Sequence, residues 1–431
     1  MVSSTVFSSS KSLVCLQIYW TLYILNLDDL IRPTASRYSG VLMRILHTAD
    51  WHIGRTLDGN DLHEEQRIVL AQIVEMANEK NPDVIVIAGD LFDLPSPSAD
   101  SQQLCHEYII KLGALAPVLI IPGNHDSRNR FKAIEGFAEA TNIHITSQIH
   151  EVVERAYEHE ENGSKVRIYG VPFVAPNNVR GLKGFKDIKL THEGVVTSVM
   201  EKVREDAEAN NTRIIAIAHL FITGGEQSKS KAERDIEYGG VHDIKASTFE
   251  GADLVLLGHL HRCHTPSEKI PVAHYSGSLL RYSFKEANHA KSCSIIDYDL
   301  SNGKSVIEKV ELKLPRGMAR LSGSSVQDVL ENTDFDKHVD DWIEVTLPWS
   351  ERGTNPLVRM QTKFPYTCAN IKFHRPTISR DGATITEATG GESVGETATK
   401  FFENVAGEGK ATTERIAIVT GMGEKIRGED S

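Results

Sequence analysis

The chain has 431 residues, which is enough for two or three domains and a large buried core. Hydrophobic residues make up 40% and charged residues 25% of the sequence, as in ordinary soluble globular proteins and unlike disordered or fibrous chains. The formal net charge is -12 at pH 7. This acidity argues against stand-alone binding of nucleic acid through a broad basic face, although a local patch, a partner or bound cations would supply positive charge.

The five cysteines are odd in number, scattered, and contain no C-x-x-C pair. They are Cys15, Cys105, Cys263, Cys293 and Cys368. This pattern argues against a disulfide framework and against a structural zinc knot. Because free thiols persist in reducing compartments, we expect a cytoplasmic protein.

The first 42 residues differ in composition from the rest of the chain. Serine and threonine crowd residues 3–12, and an apolar run follows from Leu13 to Leu27. The run is short for a membrane span, and Lys11 is the only positive charge before it. We therefore interpret residues 1–42 as an extension outside the fold and expect no stable membrane association. A signal anchor is the alternative.

From Met43 onward, short apolar runs alternate with helical patterns. The predicted strands cover 44–48, 83–88, 117–121, 166–171, 213–218 and 253–257, and the predicted helices cover 62–80, 100–114, 131–140 and 190–209. Strands that alternate with helices indicate an α/β fold with a largely parallel sheet.

After about residue 270 the predicted strands follow one another without helices, at 271–276, 293–299 and 304–314. We expect these strands to form a second sheet packed on the first. A strand at 342–347, a helix near 355–364 and a strand at 367–373 then predict a small separate domain.

The C-terminal part of the chain is rich in small and polar residues. Residues 376–396 have the composition of a linker. Ser393 and Glu396 form a candidate capping box, and the residues beyond them predict short amphipathic helices that dock on another surface.

Five short motifs share one placement, because each follows the C-terminal end of a predicted strand. The motifs are Asp50-Trp-His52, Gly89-Asp90-Leu-Phe-Asp93, Gly123-Asn124-His125-Asp126, Ala218-His219 and Gly258-His259-Leu-His261. Ligands of open α/β sheets bind beyond the carboxyl ends of the strands. We therefore expect these side chains to meet at one rim.

Carboxylates, imidazoles and an amide oxygen together suit a divalent ion such as Mn²⁺, Fe²⁺ or Zn²⁺. On an extended chain, D-x-H and H-x-H spacing would direct both side chains to the same face. One aspartate can bridge two ions, and two ions about 3.5–4 Å apart form a clamp for in-line phosphoryl displacement. A zinc site built from His261, Cys263 and His264 is the alternative arrangement.

These motifs resemble those of the calcineurin-like metallophosphoesterases over residues 43–315. That class contains phosphatases, phosphodiesterases, nucleotidases and nucleases. The resemblance implies a β-sandwich flanked by helices on both faces, an αββα arrangement within the α/β class.

Longer stretches are similar to the SbcD family, the nuclease subunits of bacterial SbcCD complexes. They are Arg44–Arg55, Gly89–Ser98, Gly123–Ser127, Arg234–Gly240 and Tyr275–Ser278. The resemblance implies a phosphoesterase domain at 43–315, a small α+β capping domain at 316–378, and a linker with a helical, partner-docking tail at 379–431.

The same resemblance implies roles for single residues. One metal ion, expected to be Mn²⁺, would be held by Asp50, His52, Asp90 and His261. A second would be held by Asp90, Asn124, His219 and His259, with Asp90 bridging. His125 would be the catalytic residue that is not a ligand, and the Asp93 carboxylate would orient its ring.

The family resemblance further implies an ATP-dependent double-strand exonuclease and single-strand or hairpin endonuclease in DNA repair, replication and recombination. Its implied partners are DNA, an SbcC-like coiled-coil ATPase and a second copy of the nuclease domain. Two alternatives are a phosphodiesterase or phosphatase for a small or protein substrate, and a non-catalytic scaffold of an ATPase complex. Arg55, Arg128 and Arg130 adjoin the metal motifs; they would contact DNA phosphates or remain solvated.

Overall fold

A computed structural model describes residues 41–182, 184–223 and 244–374. The expectations for the extension up to residue 40, for the stretch 234–240, and for the linker and helical tail beyond 374 lie outside the described residues. Within the described part, no helix is both long enough and apolar enough to cross a membrane.

Strands and helices largely alternate between residues 42 and 258 of the described chain, as the sequence predicts. The strands are β1 (Leu42–Thr48), β2 (Thr56–Leu57), β3 (Asn60–Asp61), β4 (Val84–Ala88), β5 (Val118–Ile121), β6 (Ile143–Ile145), β7 (Tyr157–Glu161), β8 (Ser164–Val171), β9 (Arg213–His219), β10 (Ile222–Thr223), β11 (Ile244–Lys245), β12 (Leu254–Gly258), β13 (His264–Ser267), β14 (Val272–Tyr275), β15 (Ser292–Asp299), β16 (Ser305–Glu311), β17 (Met318–Ser322), β18 (Trp342–Pro348) and β19 (Lys372–His374). The α-helices are α1 (His63–Lys80), α2 (Ala99–Gly113), α3 (Arg128–Glu139), α4 (His192–Asn210), α5 (Val326–Glu331) and α6 (Pro356–Gln361).

Two six-stranded sheets form the centre of the described fold. The first has the order β16-β15-β1-β4-β5-β6, and the second has the order β13-β14-β12-β9-β8-β7. The four strands from β1 to β6 in the first sheet are parallel, and so are β8, β9, β12 and β14 in the second. Antiparallel strands complete the edges of both sheets.

The side chains of β4 show how the layers stack. Val84, Val86 and Ala88 lie in a core shared with residues of the second sheet. Ile85 and Ile87 face the opposite way, into a core that contains buried residues of α1 and α2. The outer face of the second sheet packs against α4 in the same manner. The fold is therefore an α/β sandwich flanked by helices, and the predicted αββα arrangement is confirmed.

The three strands predicted after residue 270 do not form the second sheet together. Only β14 of the three joins it, while β15 and β16 return to the first sheet, where β15 pairs antiparallel with β1. The expectation that 293–299 and 304–314 build the second sheet is wrong. β15 instead pairs with the free side of β1 over Leu42–His47, whereas β14 extends the second sheet as the parallel neighbour of β12.

A third sheet of β17, β18 and β19 has a hydrophobic core of its own, built with α5 and α6. β17 and α5 lie before the strand predicted at 342 and were not predicted. The strand predicted at 367–373 is shorter in the structure, where only β19 is formed. Arg316 connects this part to the sandwich, because its Nε lies 3.2 Å from Glu65 Oε1 and its guanidinium lies 3.5 Å from the ring centre of Tyr366.

Candidate metal centre

The five motifs meet at one end of the sandwich, and both sheets contribute. Three motifs follow β1, β4 and β5 of the first sheet, and two lie at the ends of β9 and β12 of the second. Backbone hydrogen bonds join the turns, since Asp50 N donates to Gly89 O at 3.0 Å and His52 N to Asp90 O at 2.9 Å. Two sheets therefore contribute to the rim, whereas the sequence suggested that one sheet would carry all five motifs.

Sharp turns, rather than extended chain, aim these side chains. Asp50, His52, Asp90 and His259 have φ angles of 52°, 45°, 50° and 101°, in a region that residues other than glycine seldom adopt. The extended-chain explanation of the D-x-H and H-x-H spacing is therefore wrong. Such backbone strain persists only where the surrounding structure holds it, and it concentrates at functional sites.

Glycine permits the close approach of these turns. Gly89 has a φ of 88°, and a Cβ there would collide with the ring of His219. A Cβ on Gly123 would collide with the carboxylate of Asp90. Both positions therefore need glycine for the neighbouring ligand-type side chains to fit.

Among the described residues, three groups of donor atoms lie close enough to share a cation. In each group the donor atoms lie within 4.8 Å of one another. The groups are Asp50, His52 and His261; His52, Asp90 and His125; and Asp50, Asp90 and His219. Asp50, His52, Asp90 and His219 are buried, whereas Asn124, His125, His259 and His261 are partly exposed at the opening.

In a neutral His219 ring, three lone pairs would face one another. Its Nδ1 donates to the Ala88 carbonyl at 2.8 Å, so in the neutral ring Nε2 carries a lone pair. That Nε2 lies 3.0 Å from Asn124 Oδ1 and 3.2 Å from Asp90 Oδ2. Three acceptors that converge in this way repel one another unless a cation or an added proton lies between them.

A second convergence involves His52 and His261. The Nδ1 of His261 faces Glu286 Oε1 at 2.9 Å, and the Nδ1 of His52 lies 3.4 Å from Asp93 Oδ1. Each carboxylate favours a proton on the facing Nδ1, which leaves two Nε2 lone pairs 3.1 Å apart. The donor set of both convergences fits divalent metal ions, which carboxylate, amide and imidazole ligands hold in proteins.

The charges of the site favour a positive group at its centre. Burial alone would lower the pKa of His219, but the nearby carboxylate of Asp90 outweighs burial and raises it to about 9. Burial alone would raise the pKa of Asp90, yet His219 holds it well below its usual range. Burial and the charge of His219 lower the pKa of His259 to about 3, so that ring is a neutral donor.

His125 lies at the opening, beside His52 with ring centres 4.9 Å apart. Its Nδ1 donates to the backbone carbonyl of Asp93 at 2.8 Å. The expectation that the Asp93 carboxylate orients this ring is wrong, because the carboxylate faces His52 and accepts from Arg55 Nη1 at 3.0 Å. The main chain of Asp93 does the orienting instead.

The sequence motifs included Asp126 but gave it no role. Its buried carboxylate accepts hydrogen bonds from the backbone N–H groups of Leu91, Phe92 and Gly123, at 3.1, 3.0 and 2.9 Å. Burial, and then the charge of Asp90, raise its pKa to about 7. Asp126 thus ties the turn after β4 to the turn after β5, and its place inside the G-N-H-D motif was the available signal.

Other supporting residues carry no motif. Gln66 on α1 donates from Nε2 to His52 O at 2.8 Å, and Gly54 N donates to its Oε1 at 3.2 Å. Tyr282 donates to the carbonyl of Trp51 and lies edge-on to His52, with ring centres 5.4 Å apart. These contacts come from distant parts of the chain, so sequence reasoning missed them.

The three arginines near the motifs differ in their contacts. Arg55 pairs with Asp93, and Arg130 Nη2 donates to Ser96 Oγ at 3.1 Å. Arg128 is partly buried, burial lowers its pKa, and its guanidinium forms no hydrogen bond or ion pair with the other described residues.

The alternative zinc site at His261, Cys263 and His264 lacks the required geometry. His264 donates from Nδ1 to the Arg262 carbonyl at 2.9 Å and stacks on Tyr275 with ring centres 4.9 Å apart. None of the metal-capable groups among the described residues includes Cys263 or His264.

Comparisons with known proteins agree with this chemistry. The family model for calcineurin-like phosphoesterases matches residues 43–263. The chain is 31% identical over 329 residues to the SbcD component of the SbcCD nuclease of Staphylococcus saprophyticus, covering 76% of this chain and 84% of that protein. It is also 31% identical over 337 residues to the protein of the same name from Staphylococcus epidermidis, covering 77% and 86%.

Among solved structures, the chain is similar to a dimetal phosphatase from Danio rerio. The sequence identity is 11%, the TM-score is 0.40, and the match covers 63% of this chain and 96% of that chain.

Proposed function

The chain belongs to the calcineurin-like phosphoesterases and, among them, to the SbcD family, and from this premise we propose that it is a metal-dependent DNA nuclease. It is a hydrolase of phosphodiester bonds. The observation that supports the proposal best is that ligand-type atoms converge at two places, where His219 Nε2 meets Asp90 and Asn124 and where the Nε2 atoms of His52 and His261 meet. Such a donor set suits two cations that act on one phosphate.

We assign two divalent ions to this site, and Mn²⁺ is the proposed metal. The first would be held by Asp50, His52, Asp90 and His261, and the second by Asp90, Asn124, His219 and His259. When bound, such ions lower the pKa of a water toward neutrality and neutralise charge on the phosphate. Asp90 supports the bridging role, since its Oδ2 lies 3.6 Å from His52 Nε2 and 3.2 Å from His219 Nε2.

His125 is the proposed catalytic residue. Because its Nδ1 is committed to Asp93 O, its Nε2 is left for a substrate at the opening. From that position His125 would protonate the departing sugar oxygen or stabilise charge on the phosphate. The main-chain carbonyl of Asp93 fixes the ring of His125. Its carboxylate faces His52 Nδ1 and forms an ion pair with Arg55.

DNA is the proposed substrate because both relatives are named as nuclease components and because Arg128 offers a free cation beside the G-N-H-D turn. The partner would be an SbcC-like coiled-coil ATPase, since the name of the relatives places them in SbcCD. ATP-dependent exonuclease action on duplex ends, endonuclease action on single strands or hairpins, and roles in repair, replication and recombination belong to this proposal.

We also propose the domain limits and location that the sequence suggests. A capping domain at 316–378 is supported by the separate core of the third sheet, and the tail at 379–431 would dock on the ATPase.

A cytoplasmic location is supported by the four cysteines of the described residues, which are free. A homodimer through the nuclease domain is supported by exposed apolar side chains on α3.

The test is cleavage of DNA by the purified chain with Mn²⁺. We expect linear duplex or single-stranded DNA to be degraded. Asp90→Ala should abolish cleavage together with metal binding. His125→Ala should lower the rate by about 10²–10⁴-fold and leave metal content nearly intact, as measured by elemental analysis after gel filtration.

Two rival functions predict other results. Activity on a small chromogenic ester with no activity on DNA would favour a small-molecule phosphodiesterase or phosphatase. Full turnover in both variants would contradict the residue roles. A wild-type chain that binds no metal and cleaves nothing, alone or with its ATPase, would favour a scaffold.

A further inference from the structure

Behind His261 lies a buried network that none of the sequence motifs contains. The Nδ1 of His261 faces Glu286 Oε1 at 2.9 Å, and Lys291 Nζ lies 2.5 Å from Glu286 Oε2. Lys291 Nζ also donates to His261 O at 2.9 Å and to Ser278 Oγ at 2.8 Å. An ammonium has three donors, so the three acceptors account for all of them.

Removing this charged pair from water costs free energy, so the network is expected to do more than stabilise the fold. The side chain of Lys291 is 1% exposed and that of Glu286 is 11% exposed. Buried ion pairs contribute little net stability compared with well-packed apolar side chains. The pair does, however, hold His261 at two points, because Glu286 contacts its ring and Lys291 contacts its carbonyl.

The fold explains how the pair reaches His261. Glu286 ends the short 3₁₀ helix Phe284–Glu286, and Lys291 immediately precedes β15. β15 pairs with β1, where Ser294 lies opposite His47. The return of the chain to the first sheet therefore places Lys291 beside the turn that carries Asp50 and His52.

We propose that Glu286 and Lys291 are positioning residues that hold His261 with a proton on Nδ1 and a free lone pair on Nε2, and that they thereby set the affinity of one of the two metal positions. The inference rests on the proposed metal-dependent function. The carboxylate would also increase the basicity of the imidazole, as carboxylates behind metal-binding histidines do. The Nε2 of His261 lies 3.1 Å from that of His52, so this effect is confined to the position that Asp50, His52 and His261 would form.

The experiment is a titration of the chelator-treated, full-length protein with Mn²⁺, in which electron paramagnetic resonance measures the free ion. We expect two sites in the wild type. Glu286→Gln should weaken one of them by about 10–100-fold and leave the other unchanged, and Lys291→Met should act on the same site. The exposed Glu268, changed to Gln, is the matched control and should bind Mn²⁺ as the wild type does.

A second comparison separates positioning from general structural damage. In a His261→Ala background, Glu286→Gln should have no further effect, because residues that act through one another are not additive. Thermal unfolding of the metal-free variants reports any loss of folding on its own. Equal weakening of both sites, or an additive effect in the His261→Ala background, would overturn the positioning role.

The proposed function fails in a different way. If the wild type binds no Mn²⁺, the metal assignment itself is wrong and the inference falls with it. If the wild type binds two ions and Glu286→Gln binds them equally well, only the positioning role is wrong.

Discussion

Four histidines of the site follow one rule, although they come from four separate segments of the chain. In His52, His125, His219 and His261, Nδ1 faces an oxygen acceptor. In His52, His219 and His261, Nε2 faces another ligand-type side chain of the site. The acceptors differ, since two are backbone carbonyls and two are carboxylates. Because the acceptor decides which nitrogen carries the proton, the surrounding oxygens determine the chemistry of each ring. This rule depends on three-dimensional contacts and could not be read from the motifs.

The free guanidinium of Arg128 leads to a prediction about DNA binding. Arg128→Gln should weaken DNA binding and reduce the slope of log K against log salt by about 1, because one phosphate contact is lost. Arg130→Gln, whose arginine already donates to Ser96, should leave the slope unchanged. Fluorescence anisotropy of a labelled duplex measures both, in a His125→Ala background that prevents cleavage. Equal slopes for Arg128→Gln and the parent would show that Arg128 does not contact the phosphates.

At the scale of elements, the sequence predicted those strands whose apolar runs end in a motif. β4 and β12 are fully buried and are followed by Gly-Asp and by His259, so the composition signals both strand and site. The return of β15 to β1 has no such signal, because strand pairing across about 250 residues depends on packing of the whole sandwich. The same limit hid Glu286 and Lys291, whose partner His261 belongs to a different element.

The turn after β1 shows where local reasoning gives a correct result for a wrong reason. The D-x-H spacing did predict that Asp50 and His52 reach the same rim. The structure brings them there through two residues with positive φ, supported by hydrogen bonds from the main chain and from Gln66. Propensities of single residues do not predict such turns, since positive φ is uncommon even for aspartate and histidine, which adopt it more often than other residues with a side chain.

The interface between the two sheets contains a histidine that makes folding sensitive to acid. Burial, and then the charge of His264, lower the pKa of His274 to about 4. Between pH 4 and 6.5 the unfolded chain therefore binds more protons than the native one at this residue, so the free energy of unfolding rises with pH. The contribution is fully present above pH 6.5 and is lost as the pH falls to 4, to an extent of roughly 3 kcal/mol.

We predict that His274→Gln reduces this pH dependence. Glutamine retains groups able to bond Thr265 and Ser294, which contact the two ring nitrogens at 2.8 and 2.7 Å, but it cannot be protonated. Urea unfolding between pH 4.5 and 7.5 should show a slope smaller by up to about 1.4 kcal/mol per pH unit. The exposed His150, changed to Gln, is the control. An unchanged slope in His274→Gln would assign the acid sensitivity to other groups.

At the scale of the whole molecule, α3 exposes two large apolar side chains on its surface. Phe137 is 82% exposed and Ile134, three residues earlier on the same helix, is 38% exposed. Residues three apart on a helix are neighbours on its surface, and neighbouring exposed apolar side chains suit an interaction surface. A two-fold axis would cover the patch with its own copy, which is how closed homodimers are built.

We therefore predict that Phe137→Asp converts a dimer into a monomer. Burial of each phenylalanine contributes about 1.5–3 kcal/mol, so losing both copies should weaken dimerisation by about 100-fold or more. Size-exclusion chromatography with light scattering at micromolar concentration measures the mass. Val306→Asp is the matched control, because Val306 is 65% exposed on β16, at the edge of the first sheet opposite β6, which α3 contacts. A wild type that remains monomeric, or equal dissociation of both variants, would show that α3 does not form the interface.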